Sequence, residues 1–268
     1  MESPCGLTRR PQTASSRSPG AGTVFAMDLE SFFASVPAAR VWSLLQGVVE
    51  LPEPVAHAVT GLVTTVVPAA VWRQVPVPAD PAGRDRHARL GRLLATPHLP
   101  QGAPTSPALA KLACTRLDRR LTGLAASLGA VYTCYVDDLF LSGPPTLHRP
   151  AVAARVAAIA AGEGFRVDPG KTRSAGSGRR QTVLGAVVNT RPTLPRPERD
   201  ALRALLHNCA VSAWASQVRD RDPATFRDHV LGRVAWAASV DPVLGARLRD
   251  LAARIDWGTP GGRSGDVH

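Results

Sequence analysis

A pair of adjacent aspartates between two strand-forming runs is the feature that most constrains this chain. Asp137 and Asp138 lie inside residues 132–142 (YTCYVDDLFLS), where aromatic and apolar residues on both sides predict two β-strands joined by a tight turn. We expect both aspartates at the tip of that hairpin. Adjacent carboxylates repel each other, and a bound divalent cation would turn the repulsion into attraction. Taken alone, an Asp-Asp pair is more often part of a solvated turn, so the rest of the chain has to decide between the two interpretations.

The charge of the chain favours a polyanionic partner. It contains 32 Lys and Arg residues against 21 Asp and Glu residues, a formal net charge of +11 that favours nucleic acid. Only Lys111 and Lys171 are lysines, and the excess of Arg accompanies abundant Ala, Pro and Gly, which a GC-biased coding sequence would also produce. The charge therefore supports a nucleic-acid partner without establishing one.

The chain shows no zinc signature and no membrane signal. Its four cysteines include no Cys-x-x-Cys pair and no histidine at zinc spacing. The N-terminus lacks the apolar core of a signal peptide, and the most apolar stretch, 55–72, contains His57 and Pro68. We therefore expect a soluble cytoplasmic protein with no membrane partner.

The order of apolar patterns predicts an α+β fold with helices on one face of an antiparallel sheet, followed by a separate helical domain. Besides the hairpin, strands are expected at 23–29, 165–168 and 182–188. Helices are expected at 37–49, 54–67, 106–128, 147–164, 195–218, 223–239 and 242–256. Residues 1–23, rich in Ser, Pro, Gly, Thr and Arg, predict a disordered tail, and the glycine-rich residues 258–268 predict a flexible one.

A third acid, Asp28, ends the first predicted strand. If that strand lies beside the hairpin, the two are roughly 4.8 Å apart. Asp28, Asp137 and Asp138 would then jointly hold two Mg²⁺ ions roughly 3.5–4 Å apart, an arrangement that catalyses in-line phosphoryl transfer. The alternative for Asp28 alone is a strand-end acid that caps the following helix.

Three segments, in order, resemble the central motifs of reverse transcriptases, most closely the bacterial retron type. They are residues 25–33 (FAMDLESFF), 99–107 (LPQGAPTSP) and 135–138 (YVDD), and further similarity extends over 24–257. The resemblance implies a polymerase palm at 24–190 followed by an all-α thumb at 191–257. It also implies an RNA-directed DNA polymerase, a nucleotidyltransferase that uses two Mg²⁺ ions and dNTPs on an RNA template and an RNA–DNA duplex.

The same resemblance implies which residues carry the chemistry. Asp28 and Asp137 would hold the metal ions, and Asp138 would be a third, less directly coordinating acid. Lys171 would protonate or neutralise the departing pyrophosphate, a role that suits a lysine, whose pKa shifts readily, better than an arginine.

Binding residues are also implied. The incoming nucleotide would contact Leu29, Phe33, Gln101 and Gly102. The ring of Phe33 would clash with a 2′-hydroxyl and so select deoxynucleotides; the alternative is core packing, which we expect for Phe32. Primer and template contacts are expected from Tyr135, Leu184, Gly185, Arg196, Arg199 and Arg203. Without the resemblance, each arginine is equally well explained as a solvated surface charge.

Reverse transcriptases normally carry a fingers region before the first of these motifs, and here only the residues 1–23 precede it. Three explanations compete: a late start codon or truncated gene, a partner protein that supplies the fingers, or a chain without polymerase activity. The basic stretch that contains Arg84, Arg86, Arg89 and Arg92 is a candidate for part of the fingers function.

Two classes of function remain. The first is a retron-like reverse transcriptase that acts on a structured noncoding RNA in phage defence or in a mobile element. The second is a catalytically impaired palm–thumb remnant that binds a noncoding RNA or a partner protein. Template-independent nucleotide transfer shares the metal site with the first and differs only in its use of a template.

Overall fold

The computed structural model describes residues 20–212, 214–218 and 222–258. They form two compact units, one of residues 22–176 and one of residues 20–21 with 177–258. The tails predicted over 1–23 and 258–268 lie mostly outside the described residues. Thr23, at the end of the first predicted tail, is buried and begins a strand.

The first unit is built on a four-stranded antiparallel sheet. Its strands are β1 (Thr23–Asp28), β2 (Val131–Tyr135), β3 (Asp138–Gly143) and β4 (Arg173–Gly176), in the spatial order β2-β3-β1-β4. Both neighbours of the central strand β1 pair with it antiparallel. On β1, Phe25 and Met27 are buried whereas Ala26 and Asp28 are partly exposed, the alternation expected of a strand with one face on a core. The antiparallel sheet and the α+β class are as predicted.

Seven α-helices accompany this sheet among the described residues. They are α1 (Ala38–Gly47), α2 (Glu53–Val63), α3 (Ala69–Trp72), α4 (Pro81–Leu94), α5 (Ser106–Ala113), α6 (Thr115–Ser127) and α7 (Pro150–Gly162). Short 3₁₀ helices occur at Phe33–Ser35 and Pro145–His148. Leu117 and Leu121 of α6 and Val156 of α7 join Met27 and Leu141 of the sheet in one apolar core. Burial of these apolar side chains is the main force that holds the helices on the sheet.

The second unit has a core of its own. It contains the hairpin strands β5 (Thr182–Val183) and β6 (Ala186–Val187), the helices α8 (Arg196–Val211), α9 (Pro223–Val240) and α10 (Pro242–Ala252), and a 3₁₀ turn at Trp214–Gln217. Ala186 and Leu194 pack with Leu206, Phe226 and Leu248 in this core. The small hairpin therefore belongs to the helical unit, whose main segment begins at 177, whereas the sequence prediction began an all-α thumb at 191.

Three local predictions differ from the structure. The single helix predicted over 106–128 is broken at Cys114, where the backbone (φ −85°, ψ −1°) departs from α-helical geometry although the apolar spacing continues. The strand predicted at 182–188 is two short strands separated by the turn at Leu184 and Gly185. The strand predicted at 165–168 is reduced to one bridge between Leu29 and Val167.

Strand β4 was missed, because Arg173–Gly176 lies in a basic, glycine-rich stretch without strand-forming side chains. Its place is given by backbone pairing with β1. Within the described ranges, none of the helices is both long and apolar enough to cross a bilayer.

Candidate active site

The hairpin between β2 and β3 has a two-residue turn. Strand β2 ends at Tyr135 and β3 begins at Asp138, so Val136 and Asp137 form the turn. Asp138 is therefore one step beyond the predicted tip, paired with Tyr135. Val136 has a φ of +55°, a left-handed conformation that is rare for a β-branched residue and that clusters at functional sites. This backbone holds Asp137 at the end of the hairpin.

Asp28 meets this hairpin from the neighbouring strand. It lies directly opposite Asp138 in the β1–β3 register, and strands in such a pair are about 4.8 Å apart. The backbone N–H of Leu29 donates to the carbonyl of Asp137 at 3.0 Å, which extends the pairing past the last strand residue. Three acids that are far apart in the sequence thus converge at one end of the sheet.

The three carboxylates act on one another electrostatically. Burial, and then the charges of Asp137 and Asp28, raise the pKa of the Asp138 carboxyl to about 6. Burial, and also the charge of Asp28, raise the pKa of Asp137. The site therefore concentrates negative charge that the protein itself compensates only in part.

Lys171 provides that partial compensation. Its Nζ is 3.0 Å from Oδ2 of Asp28, and this hydrogen bond raises the pKa of the lysine ammonium. The same positive charge opposes, without cancelling, the rise in the pKa values of Asp137 and Asp138. The loop that carries Lys171 is anchored by the N–H of Asp168, which donates to the carbonyl of Asp28 at 2.8 Å.

The donor set suits a hard divalent cation, although it is not arranged as a finished site. Among the described residues, no three His, Cys, Asp or Glu side chains are grouped closely enough to hold a metal ion as they stand. Carboxylate oxygens are nevertheless the ligands that Mg²⁺ prefers, and excess partly buried negative charge is what such an ion relieves. Asp28, Asp137 and Asp138 would hold it after side-chain rotation and release of Lys171 from Asp28.

The residues predicted to contact the nucleotide have different surroundings. The side chain of Leu29 is only 2% exposed and belongs to the core, so only its backbone is available at the site. Phe32 is buried against Phe165, with ring centroids 5.7 Å apart, as its predicted core role requires. Phe33 packs on Phe32 at 5.3 Å but stays partly exposed. Its predicted contact with a sugar stays a prediction.

The loop before α5 is open to solvent. Gln101 is exposed and forms no side-chain hydrogen bond to another described residue. Gly102 has a φ of +90°, and a Cβ added there would meet no atom within 4 Å. Glycine is thus needed for the backbone conformation. Ser106 Oγ donates to the carbonyl of Pro100 at 2.6 Å and ties the loop to α5. The predicted nucleotide contacts of Gln101 and Gly102 stay predictions.

A salt-bridge cluster beside Asp28 was not predicted. Glu30 accepts from Arg89 of α4 at 2.6 Å and pairs with Arg166 at 3.2 Å. Arg89 also pairs with Asp85. This cluster ties α4 to the segment that follows β1, so Arg89, one of the arginines considered for a fingers role, has a structural partner. The available signal was weak: an acid two residues after Asp28 and a basic helix 59 residues away.

A buried polar network behind the hairpin was also missed. Asp118 of α6 is 3% exposed and accepts from Lys111 Nζ at 2.6 Å and from the Tyr132 hydroxyl at 2.9 Å. Burial raises the pKa of Asp118, and the hydrogen bond and charge of Lys111 oppose that rise. The network joins α5, α6 and β2, the strand that leads to the turn. Its only sequence signal was an aspartate within an apolar helical pattern.

The remaining predicted residues belong to the second unit. Leu184 and Gly185 both have positive φ, +49° and +81°, and form the two-residue turn between β5 and β6. Arg196 and Arg199 of α8 approach Asp200 at 3.5 and 3.9 Å. Arg203 forms no ion pair with another described residue. The primer and template contacts predicted for these residues, and for half-buried Tyr135 of the first unit, stay predictions.

A family model matches more than half of the chain. Residues 2–188 match the family model described as reverse transcriptase (RNA-dependent DNA polymerase). The matched region contains Asp28, Asp137, Asp138 and Lys171, together with the loop before α5.

Two retron reverse transcriptases are similar to this chain in sequence. The chain is 38% identical over 229 residues to the retron Mx65 reverse transcriptase of Myxococcus xanthus, covering 85% of this chain and 49% of that protein. It is 38% identical over 205 residues to the retron Mx162 reverse transcriptase of the same organism, covering 70% of this chain and 40% of that protein. The chain thus spans about half the length of these relatives or less. A solved structure of telomerase from Candida albicans, in complex with a fragment of telomeric RNA, is also similar, with a TM-score of 0.39 and 8% identity. The match covers 85% of this chain and 40% of the telomerase chain.

Proposed function

This chain belongs to the reverse transcriptase family, and from that premise we propose that it is an RNA-directed DNA polymerase that adds deoxynucleotides to a primer 3′-hydroxyl on an RNA template. The observation that carries the proposal is the pairing of Asp28 with Asp138 across β1 and β3, beside Asp137 in the turn. Three acids at one end of a sheet, with their charges unbalanced, suit metal-assisted phosphoryl transfer.

Each residue at the site has a part in this reaction. Two Mg²⁺ ions held by Asp28, Asp137 and Asp138 would lower the pKa of the attacking hydroxyl and neutralise charge on the phosphates. Lys171, whose ammonium is 3.0 Å from Asp28, would give its proton to the departing pyrophosphate. The partly exposed ring of Phe33, five residues after Asp28, would exclude a ribose 2′-hydroxyl.

The family relationship extends the proposal to the substrate. The relatives at 38% identity are named as retron reverse transcriptases, so we place this chain in a retron-like system, with a structured noncoding RNA as template and phage defence or a mobile element as its setting. The basic charge of +11 suits an RNA–DNA duplex as partner, and a cytoplasmic location follows from such a role.

Primer extension tests the proposal directly. The 268-residue chain is incubated with Mg²⁺, dNTPs and a primer annealed to RNA, beside Asp28→Asn, Asp137→Asn and Asp228→Asn. We expect incorporation that needs the template, falls at least a hundredfold in the first two variants and is unchanged in the third. Asp228 is a matched control because it is an exposed aspartate on α9 of the second unit.

One observation favours a second candidate, a palm–thumb remnant that binds RNA or a partner without catalysis. Among the described residues the acids do not form a finished metal site, and Lys171 occupies one oxygen of Asp28. This candidate predicts RNA binding that survives both aspartate substitutions and no incorporation by the wild-type chain. Nucleotide incorporation that does not depend on the three acids, or a complete lack of incorporation, would reject the proposal that this chain is a polymerase.

A further inference from the structure

A row of aromatic rings leads from Phe33 into the interior of the first unit. The ring centroids of Phe33 and Phe32 are 5.3 Å apart, and those of Phe32 and Phe165 are 5.7 Å apart. Both distances lie in the range at which aromatic rings attract each other. Phe33 is partly exposed, whereas Phe32 is 5% and Phe165 only 3% exposed. The partly exposed ring is therefore backed by two buried ones.

Arg40 of α1 stands at the other end of this row. Its guanidinium carbon lies 5.1 Å from the centroid of the Phe165 ring, a cation–π distance. Its two terminal nitrogens donate to the carbonyls of Ala113 at 2.6 Å and Glu163 at 2.8 Å. Ala113 ends α5 and Glu163 directly follows α7, and the C-terminal end of a helix favours a positive charge. The ends of two helices thus fix the guanidinium against which Phe165 packs.

A cavity of about 830 Å³ lies beside the row of rings. Phe165 lines it, together with Ser31 and Ser35, which lie on either side of the Phe32–Phe33 pair in the sequence. Side chains around a shortened residue relax partly into the space that it leaves. A smaller side chain at position 165 would therefore let the Phe32 ring, and with it Phe33, move toward the cavity.

We propose that Phe165 and Arg40 are positioning residues that hold the Phe33 ring where it excludes a ribose. This inference rests on the proposed function, in which Phe33 distinguishes deoxynucleotides from ribonucleotides. Side chains that select a ligand by shape must be held within about 0.5 Å of their working position by the packing behind them. Phe165 is buried, so it acts on the nucleotide only through Phe32 and Phe33.

Ordinary core packing is the alternative for Phe165, and the two roles lead to different results. A residue that only stabilises the first unit affects the use of deoxynucleotides and ribonucleotides equally. A residue that holds the Phe33 ring changes the ratio between the two, and it has no further effect on that ratio once the ring is removed. The nucleotide preference of single and double variants therefore distinguishes positioning from packing.

Single-nucleotide primer extension with dCTP and with CTP, on the same primer and RNA template, measures kcat/KM for each nucleotide. We expect Phe165→Leu to lower the dCTP-to-CTP ratio of kcat/KM by about tenfold or more, chiefly through a lower KM for CTP. Phe165→Tyr keeps the ring and should retain the wild-type ratio. The matched control is Leu124→Ala, a 5% exposed residue of α6 in the same core and outside the row of rings. It should leave the ratio within about twofold of the wild type.

Two further variants complete the test. Phe33→Val should itself lower the dCTP-to-CTP ratio, and Phe165→Leu added to it should lower the ratio no further. Arg40→Lys serves if Phe165→Leu changes the thermal melt, because lysine keeps the charge but lacks the planar, two-pronged guanidinium; it should lower the ratio by a smaller factor. The proposal is overturned if Phe165→Leu leaves the ratio at its wild-type value, or lowers it as much in the Phe33→Val background as in the wild type.

Fluorine NMR separates this inference from the polymerase proposal. Para-fluorophenylalanine replaces the six phenylalanines, and the Phe33 resonance is identified by its loss in Phe33→Val. Phe165→Leu should shift or broaden that resonance, and Leu124→Ala should leave it unchanged. A wild-type chain that incorporates no nucleotide rejects the polymerase, whereas a Phe33 resonance that Phe165→Leu does not alter rejects the positioning role.

Discussion

Asp138 is the residue at which burial and neighbouring charge most directly set the stability of the candidate site. Its pKa is raised from 3.8 to about 6, so between these values the folded chain binds more protons than the unfolded chain. The contribution of Asp138 to the free energy of unfolding must therefore fall as the pH rises from about 4 to about 6. Above that window the folded protein carries the full cost of the ionised carboxylate.

Asp138→Asn should remove this cost. In metal-free buffer at about pH 7.5 we expect the variant to be more stable than the wild type by about 1 kcal/mol, a figure reduced from the full shift because the group is partly solvated. The difference should vanish near pH 4, and Mg²⁺ at the higher pH should stabilise the wild type more than the variant. Urea titrations at both pH values measure this difference in the free energy of unfolding between the variant and the wild type. A variant whose stability relative to the wild type is lower at the higher pH than near pH 4 would contradict the assigned pKa.

The position of a residue in the fold could be predicted where its neighbours in the sequence already specify the local structure. Asp137 and Asp138 were predicted at a hairpin because strand-forming residues flank them on both sides, and the structure forms that hairpin. Glu30 was not recognised because its partner Arg89 is 59 residues away. No local pattern reports a side-chain interaction of that range. The roles assigned to Phe33, Gln101 and Lys171 rest on the family resemblance and stay predictions.

Among the elements, α5, α6 and β2 are held together by one buried charge. Asp118 accepts from Lys111 and Tyr132, so removal of its charge leaves a partly buried ammonium and a fully buried hydroxyl without their acceptor. Loss of one partner of a buried pair is costly, about 3 kcal/mol here. Because β2 leads directly to the Val136–Asp137 turn, this network also supports the candidate site.

A double-mutant cycle tests that network. We expect Asp118→Leu alone to lower the free energy of unfolding by about 3 kcal/mol, and Lys111→Met in the same chain to restore at least half of the loss, since an apolar pair leaves no buried charge. The free energies come from urea unfolding monitored by circular dichroism. If the two single losses simply add in the double variant, Lys111 and Asp118 do not depend on each other.

Element boundaries were harder to predict than element types. The apolar spacing of 106–128 continues through the break at Cys114, because α5 and α6 both bury residues in the same core. Strand β4 exists through hydrogen bonds to β1 and has no apolar pattern of its own. Periodicity reports which side chains are buried, whereas breaks and edge strands depend on tertiary contacts.

At the scale of the whole molecule, the two units have separate apolar cores, so damage to one should leave the chemistry of the other measurable. Phe226 is 2% exposed in the core of the second unit and stacks with Trp214 at a centroid distance of 6.1 Å. Phe226→Ala should cost about 3–5 kcal/mol, seen as a lower thermal midpoint in tryptophan fluorescence. Mg²⁺ affinity measured by calorimetry below that midpoint should change less than twofold, because the three acids belong to the first unit. A parallel loss of Mg²⁺ affinity at temperatures where the first unit is still folded would show that the acid cluster depends on the second unit's core.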